Sequence, residues 1–491
     1  MSRRALLLMS ALAALALTGV LVGTAHVSVA APKQPRPNVI VIETDDQTAE
    51  TLRVMTNVNR LLGEQGATFE NNFASWPLCC PSRATFLTGQ YAHNHGVLGN
   101  KAPEGGYEKL DHSNTLAVWL RRAGYHTAHI GKYLNGYGSR QNQLEIPPGW
   151  SEWHAATRLP FFGHSMNENG RIITFGSAEQ DYSTDVYGRK AVDVIRQRAP
   201  ARQPFFMWVA FFAPHSGGPP DPDDPPKTGK RESVPTTKPA PRHRDRFASE
   251  PLPMPPSFNE QDVSDKPTFV RDRPPLGPDG VAAIREAYQQ QLESLLAVDE
   301  AVGEIVSALR AAGELDNTLI VFTADNGFMH GEHRIPSGKN NVYEPSVRVP
   351  LVIRGPGVPR DVRLQQLVAN IDLAPTIVDA VDANAGRTMD GRSLLPLLRN
   401  RRGPWRESVL LERVTAERQR GGEGRNPSFT AIRTARHVYV EYTNGQRELY
   451  DLSNDPDQIA SRHADPAYET VKTNLARRLA KLRMCSGRAC G

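Results

Sequence analysis

Four apolar runs punctuate the first two thirds of the chain, and each stops at residues able to do chemistry. Asn38-Val39-Ile40-Val41-Ile42 is continuously apolar after its first residue, as a strand buried on both faces of a parallel sheet requires, and it stops at Asp45-Asp46. His126-Thr127-Ala128-His129-Ile130 is a weaker run that stops at Gly131-Lys132. The run from Pro204 to Phe212 is strong and stops at Pro214-His215-Ser216, and Thr318 to Thr323 stops at Asp325-Asn326-Gly327. Just before the last run, Ile284, Tyr288, Leu292, Leu295, Leu296, Val302, Ile305, Val306 and Leu309 recur at helical spacing, and Gly313 closes that helix. The alternation predicts an α/β fold over residues 36–400, with a large, mostly parallel sheet flanked by helices. Open parallel sheets bind ligands beyond the carboxyl ends of their strands. One such ending would mean little, because Asp and Asn are ordinary turn residues. Four together predict a site.

The pattern changes toward both ends and once in the middle. After about Arg399 come short mixed segments, Ser408-Val409-Leu410-Leu411 and His437 to Glu441, then a helical stretch from Tyr468 to Leu482. These predict a small antiparallel sheet with one helix over residues 401–491. Between Gly217 and Gly280 proline and charge replace aliphatic residues, so residues 217–280 are expected as a long, mostly irregular insertion. It either walls the site after His215 or runs as a surface loop. At the start, Arg3-Arg4, the Leu/Ala run from Ala5 to Val22 and the small residues Ala25, Ser28 and Ala30 predict a secretory signal peptide over residues 1–30. A single membrane anchor is the alternative. No later segment is apolar enough to span a membrane, so the expected product is secreted or extracytoplasmic.

Charge excludes one class of partner. The formal net charge is +5, and two of its cations, Arg3 and Arg4, sit in the expected leader, which is too little to argue for nucleic acid. The basic runs Lys227–Arg246 and Arg399–Arg406 read as solvated loops or as an attraction for a polyanionic substrate. The four cysteines form two tight pairs, and three pairings are open. Cys485 and Cys490 read as a small disulfide loop pinning the tail, whereas Cys79 with Cys80 would need a strained ring.

That second pair opens the densest motif in the chain, Cys79-Cys80-Pro81-Ser82-Arg83-Ala84-Thr85-Phe86-Leu87-Thr88-Gly89. A cysteine just before a proline-started helix meets backbone N–H groups and a dipole that favour an anion, and Arg83 adds a planar charge. Alone, a Cys-Cys-Pro would be a shielded pair capping a helix. Asp45, Asp46, Asp325 and Asn326 offer hard oxygens only, which suits Ca²⁺ or Mg²⁺ and argues against zinc.

The eleven-residue motif resembles the C-x-P-S-R-x-x-x-L-T-G signature of type I, formylglycine-dependent sulfatases. Asn38 through Asp46 resembles the first strand of that family, and Thr323-Ala324-Asp325-Asn326-Gly327 a later one. The variants Gly131-Lys132-Tyr133-Leu134-Asn135, Pro239-Ala240-Pro241-Arg242, Tyr343-Glu344 and Arg348-Val349-Pro350 look like the N-acetylglucosamine-6-sulfatase branch. The resemblance implies an alkaline-phosphatase-like sulfatase sandwich that hydrolyses sulfate esters of sugars, glycans or aryl alcohols. It implies that a formylglycine-generating enzyme converts Cys79 to formylglycine (3-oxoalanine). It implies a metal, Ca²⁺ ahead of Mg²⁺, at Asp45, Asp46, Asp325, Asn326 and the residue-79 oxygen. Arg83 would stabilise the nucleophile, Lys132 and Lys339 would bind the sulfate, and His215 would protonate the leaving alcohol.

One departure stands out within the resemblance. The family's commoner G-K-W-H carries a histidine that helps expel sulfate, and here Leu134 occupies its place. Asn135 or His333 is the candidate substitute, and His333 a further substrate contact. Two rivals share the motifs: a phosphonate monoester or phosphodiester hydrolase of the same superfamily, and a non-catalytic sulfated-glycan-binding protein should Cys79 stay unmodified.

Overall fold

The computed structural model describes residues 36–199, 203–217, 221, 224, 234–399, 403–414 and 427–490. The leader expected over residues 1–30 lies outside them, as do parts of both basic runs. Among the described residues no helix is long and apolar enough to cross a membrane.

The four apolar runs become adjacent parallel strands: β1 (Asn38–Thr44), β2 (His126–Gly131), β3 (Phe205–Ala210) and β4 (Thr318–Ala324). They lie in the order β4, β1, β3, β2 at the centre of a ten-stranded sheet. Side chains alternate between two cores. Val39, Val41, Phe206, Trp208, Leu319 and Val321 enter one face, while Ile40, Ile42, Met207, Val209, Ile320 and Phe322 enter the other. A strand covered on both faces has no polar position to spare, and this accounts for the unbroken apolar runs.

Helices cover each face. On one side lie α1 (Cys79–Thr88) and the helices Leu116–Arg122 and Leu373–Ala380, which send Phe86, Leu87, Trp119, Leu120 and Ile377 into the first core. On the other lie α2 (Ser183–Arg198) and the 34-residue α3 (Pro278–Ala311), whose Val298, Val302, Ile305 and Leu309 meet the second core. The sheet is mixed at its margins. Leu351–Arg354 runs antiparallel to β4, and beyond β2 the parallel strand Glu152–Arg158 leads into the antiparallel pair Ser165–Glu168 and Arg171–Thr174.

The C-terminal residues form a four-stranded antiparallel sheet, Ser408–Arg413, Phe429–Thr434, His437–Tyr442 and Arg447–Asp451, with the helix Glu469–Leu482 against it. Its apolar face is shared with Phe73, Tyr91, Met329 and Tyr343 of the preceding region, so the two sheets are joined through one core. Cys485 is bonded to Cys490, and the Cys485 carbonyl accepts from Asn94 Nδ2 at 2.9 Å. The tail is thereby tied to the segment that follows α1. In the insertion, Glu260 pairs with Lys266 and His333, while Arg334 donates to the Glu260 and Gln261 carbonyls. Its described part is a strap laid over the loop after β4.

Candidate active site

Because the four central strands are parallel, their carboxyl ends share one edge. Asp45 and Asp46 leave β1 there, Asp325 and Asn326 leave β4, Lys132 follows β2 and His215 follows β3. Backbone bonds hold the ends level: Asp325 N donates to Thr44 O at 3.1 Å, Asp45 N to Ala213 O at 3.2 Å and Lys132 N to Ala210 O at 2.9 Å. Asp46 adopts a left-handed φ of 67°, and its N–H turns onto Asp325 Oδ1 at 3.2 Å.

The helix α1 starts at Cys79 itself, two residues earlier than a proline-first helix would. Pro81 still falls in the first turn, where a missing N–H costs no helical bond. Gly89 ends the helix at φ 66°, a left-handed conformation that favours glycine, and a Cβ there would come within 2.9 Å of the Met389 side chain. All ten helix residues are buried, which aims the first turn at the strand ends.

Arg83, one turn on from Cys79, is fully buried and holds the arrangement together. Its Nε donates to Asp325 Oδ2 at 2.8 Å, its Nη1 to the Lys132 carbonyl at 2.9 Å, and its Nη2 to Asp45 Oδ2 at 3.4 Å. Cys79 Sγ lies 3.5 Å from Asp45 Oδ1 and 2.8 Å from Lys339 Nζ. Lys132 Nζ contacts Asp45 Oδ2, and Lys339 Nζ contacts Asp46 Oδ1. His215 Nε2 stands 3.6 Å from Asp46 Oδ2, while its Nδ1 lies 2.6 Å from the Ser216 carbonyl. A carbonyl only accepts, so Nδ1 carries a proton and Nε2 is the titrating atom facing the site.

These charges shift one another. Burial alone would raise the Asp45 carboxyl, but Lys132, His215 and Arg83 outweigh it and hold Asp45 well below the usual range. Burial and the Asp45 charge instead raise Asp325. Burial pushes the Cys79 thiol up to about 12, with Asp45 adding to the effect, and burial lowers His215.

Donor chemistry fits a hard divalent ion. One ligand atom from each of Asp45, Asp46, Cys79 and His215 falls within 4.8 Å of the others. Asn326 donates from Nδ2 to Asp46 Oδ1 at 2.6 Å, leaving its buried Oδ1 with no partner among the described residues. An orphaned carbonyl oxygen beside three buried carboxylates could hold a hard cation.

The remaining candidates lie elsewhere. His333 is buried, bonds through Nδ1 to Glu260 Oε2 at 2.7 Å and packs on Tyr343, so it belongs to the insertion contact and not to the acid cluster. Leu134 points into the apolar core. Asn135 is part-buried with an unpartnered Oδ1. One residue escaped the motif reading: Glu43, on β1, whose Oε2 lies 3.2 Å from Arg83 Nη1. Burial raises its carboxyl to about 8. A lone acid inside an apolar strand run is itself the signal, since such a charge needs a buried partner.

Comparison with known proteins decides the family. A sulfatase family model matches residues 37–383. The chain belongs to the sulfatase family. It is therefore a sulfuric ester hydrolase, and a second model, for the C-terminal region of N-sulphoglucosamine sulphohydrolase, matches residues 331–485 of the sulfatase. Human N-acetylglucosamine-6-sulfatase is 33% identical over 504 residues, covering 93% of this chain and 86% of that protein. Among solved structures, one in complex with D-glucosamine-2-N,6-O-disulfate superposes with a TM-score of 0.73 at 24% identity, covering 91% of this chain and 97% of the other. The phosphonate monoester hydrolase of Agrobacterium radiobacter gives a TM-score of 0.65 at 26% identity, covering 91% and 95%. These likenesses bear out the alkaline-phosphatase-like α/β fold expected from the sequence.

Proposed function

We propose that this sulfatase removes sulfate from amino sugars or glycans of the N-acetylglucosamine-6-sulfate kind, outside the cytoplasm, after Cys79 has become formylglycine. The relationship to the human N-acetylglucosamine-6-sulfatase over 93% of the chain supports the substrate class. The observation that carries the mechanism is the position of Cys79 Sγ, between Asp45 Oδ1 and Lys339 Nζ at the mouth of the acid cluster.

A thiol raised to about 12 is protonated at neutral pH and is a poor nucleophile, so this environment suits a modified residue better than a working cysteine. When present, a hydrated formylglycine supplies an oxygen nucleophile plus a second hydroxyl for releasing sulfate, and a divalent ion supplies Lewis acidity. Asp45, Asp46, Asp325 and Asn326 would hold that ion. Lys132 contacts Asp45, Lys339 contacts Asp46 and Cys79, and the two would balance the charge of a sulfate bound there. Arg83 keeps the helix start and the strand ends in register. His215, once protonated at Nε2, would give that proton to the departing alcohol oxygen. The modifying enzyme and the sulfated substrate are the partners this reading requires.

Mass spectrometry of the peptide containing residue 79, from protein made beside a formylglycine-generating enzyme, tests the proposal. The aldehyde form is expected in active protein, and full activity with an unmodified thiol would overturn it. The likeness to a phosphonate monoester hydrolase at 26% identity supports a second reading. A faster rate on an aryl phosphodiester than on an aryl sulfate would favour it.

A further inference from the structure

At the amino end of β4, on the sheet edge opposite the acid cluster, lies a cavity of about 610 Å³ whose charge the proposed chemistry leaves unused. Four elements bring charged residues to it. Arg310 comes from the last turn of α3, Asp316 from the turn before β4, Arg354 from the end of the antiparallel strand Leu351–Arg354 and Arg60 from the short helix Val58–Gly63. From Thr318 at this edge to Ala324 at the other, β4 covers about 20 Å at about 3.3 Å per residue, so the cavity and the acid cluster are separate places.

Three guanidiniums thus face one carboxylate, and that carboxylate is a weak partner. Asp316 is 96% exposed, and its Oδ1 stands 3.7 Å from Arg354 Nη2. The Arg354 side chain is only 11% exposed, and its Nη1 donates to the Leu61 carbonyl at 2.9 Å. Burial lowers its basicity, and the charges of Arg310 and Arg360 add to that effect while Asp316 opposes it. Arg60 and Arg310 are exposed, and among the described residues their guanidiniums make no hydrogen bond or ion pair. The carbonyls of Ala308, Leu309 and Arg310 accept from the N–H groups of Ala312, Glu314 and Gly313, so the end of α3 offers the cavity a cation while its last acceptors are already engaged. Like charges gathered around a cavity repel one another, and an anion with several oxygens relieves that repulsion.

We propose that the cavity lined by Arg60, Arg310 and Arg354 binds a sulfo group of a sulfated glycan chain, far from the ester being cleaved. Sulfate esters are the anions a sulfatase meets, and a tetrahedral oxyanion matches guanidinium forks in both charge and geometry. A single sugar cannot span the length of β4, so the site holds a chain and is indifferent to a monosaccharide substrate. A chain anchored there raises the effective concentration of its other esters at the acid cluster. The choice of a glycan rests on the glycan reading of the catalytic site, whereas the anion site itself rests on the three arginines.

The test measures by calorimetry, at fixed salt, the Kd of the modified, full-length protein for heparin, a polysulfated glycan. Arg60→Ser with Arg310→Ser should weaken binding about tenfold, and Asp316→Asn, which removes the carboxylate lining the cavity, should tighten it about twofold. All three positions are exposed, so nitrophenyl sulfate turnover stays unchanged and reports an intact fold. Equal Kd values in the unaltered protein and both variants would overturn the proposal. So would an equal loss in Arg158→Ser with Arg171→Ser, at the far margin of the sheet, because that pattern is diffuse attraction. Sodium sulfate is the second arm. A rise in Tm over sodium chloride at equal ionic strength that needs Arg60 and Arg310, beside a heparin Kd that does not, assigns the cavity to the free ion and overturns the chain. Arginine-dependent heparin binding by a protein that cleaves no sugar sulfate would instead remove the glycan reading of the catalytic site and leave this site standing.

Discussion

Arg83 Nε donates to Asp325 Oδ2 at 2.8 Å, between two side chains with no exposed surface, and so ties the helix that begins at Cys79 to the end of β4. The same guanidinium reaches Glu43, Asp45 and the Lys132 carbonyl, so one residue orients three strand ends. Lysine has a point charge and no fork, and it cannot satisfy these directions together. Arg83→Lys is therefore expected to destabilise the fold by about 3–5 kcal/mol, the usual cost of uncoupling a buried charge. Chemical denaturation checks this. A loss near zero would mean that the carboxylates are held by other groups.

Ion binding should appear as stability. An ion bound only by the folded protein adds about 2.7 kcal/mol at a hundredfold excess over its Kd, so Ca²⁺ should raise Tm after chelation. Asp325→Ala should abolish that increment together with turnover. A larger increment from Zn²⁺ than from Ca²⁺, or full turnover after EDTA dialysis with an empty site by metal analysis, would contradict the hard-oxygen assignment.

Much of this was legible in the sequence, for identifiable reasons. Strands buried on both faces leave continuous apolar runs, and parallel strands deliver their ends to one edge, so Asp45, Lys132, His215 and Asp325 could be grouped before any coordinates. The strand Glu152–Arg158 was not legible, because Glu152 is held there by His126 and His154 and leaves no apolar run. Nor was the antiparallel Leu351–Arg354, whose pairing with β4 depends on the intervening loop. His333, the candidate substitute for the missing histidine, bonds through Nδ1 to Glu260, 73 residues earlier, a pairing that the composition of the insertion did not signal.

Acid should weaken the fold through buried histidines. Burial pushes His330 down to about 4, with Nε2 bonded to Gln291 Oε1 at 2.7 Å. An unfolded histidine takes up a proton near 6.5 and the folded one does not until about 4, so stability is lost as pH falls through that window. The contribution of His330 is about 3 kcal/mol at the lower end. His330→Gln keeps an amide for Gln291 and cannot titrate, so its Tm should fall less steeply between those pH values. Parallel Tm curves for the two proteins would refute the assignment.

The role of His215 separates by leaving group. Its Nδ1 is committed to the Ser216 carbonyl and its Nε2 faces Asp46, so the atom turned to the site is the one that can carry a transferable proton. Loss of a general acid typically costs about 10²–10⁴-fold when the departing oxygen needs a proton. His215→Ala should therefore suppress turnover of sugar 6-sulfates, whose alkoxide is a poor leaving group, far more than turnover of nitrophenyl sulfate, whose phenolate departs unaided. Steady-state kinetics on both substrates decides the matter. Equal losses would assign His215 to sulfate positioning or to metal ligation beside Asp46, and the proton donor would then be sought at Lys339, whose Nζ lies 2.8 Å from Cys79 Sγ.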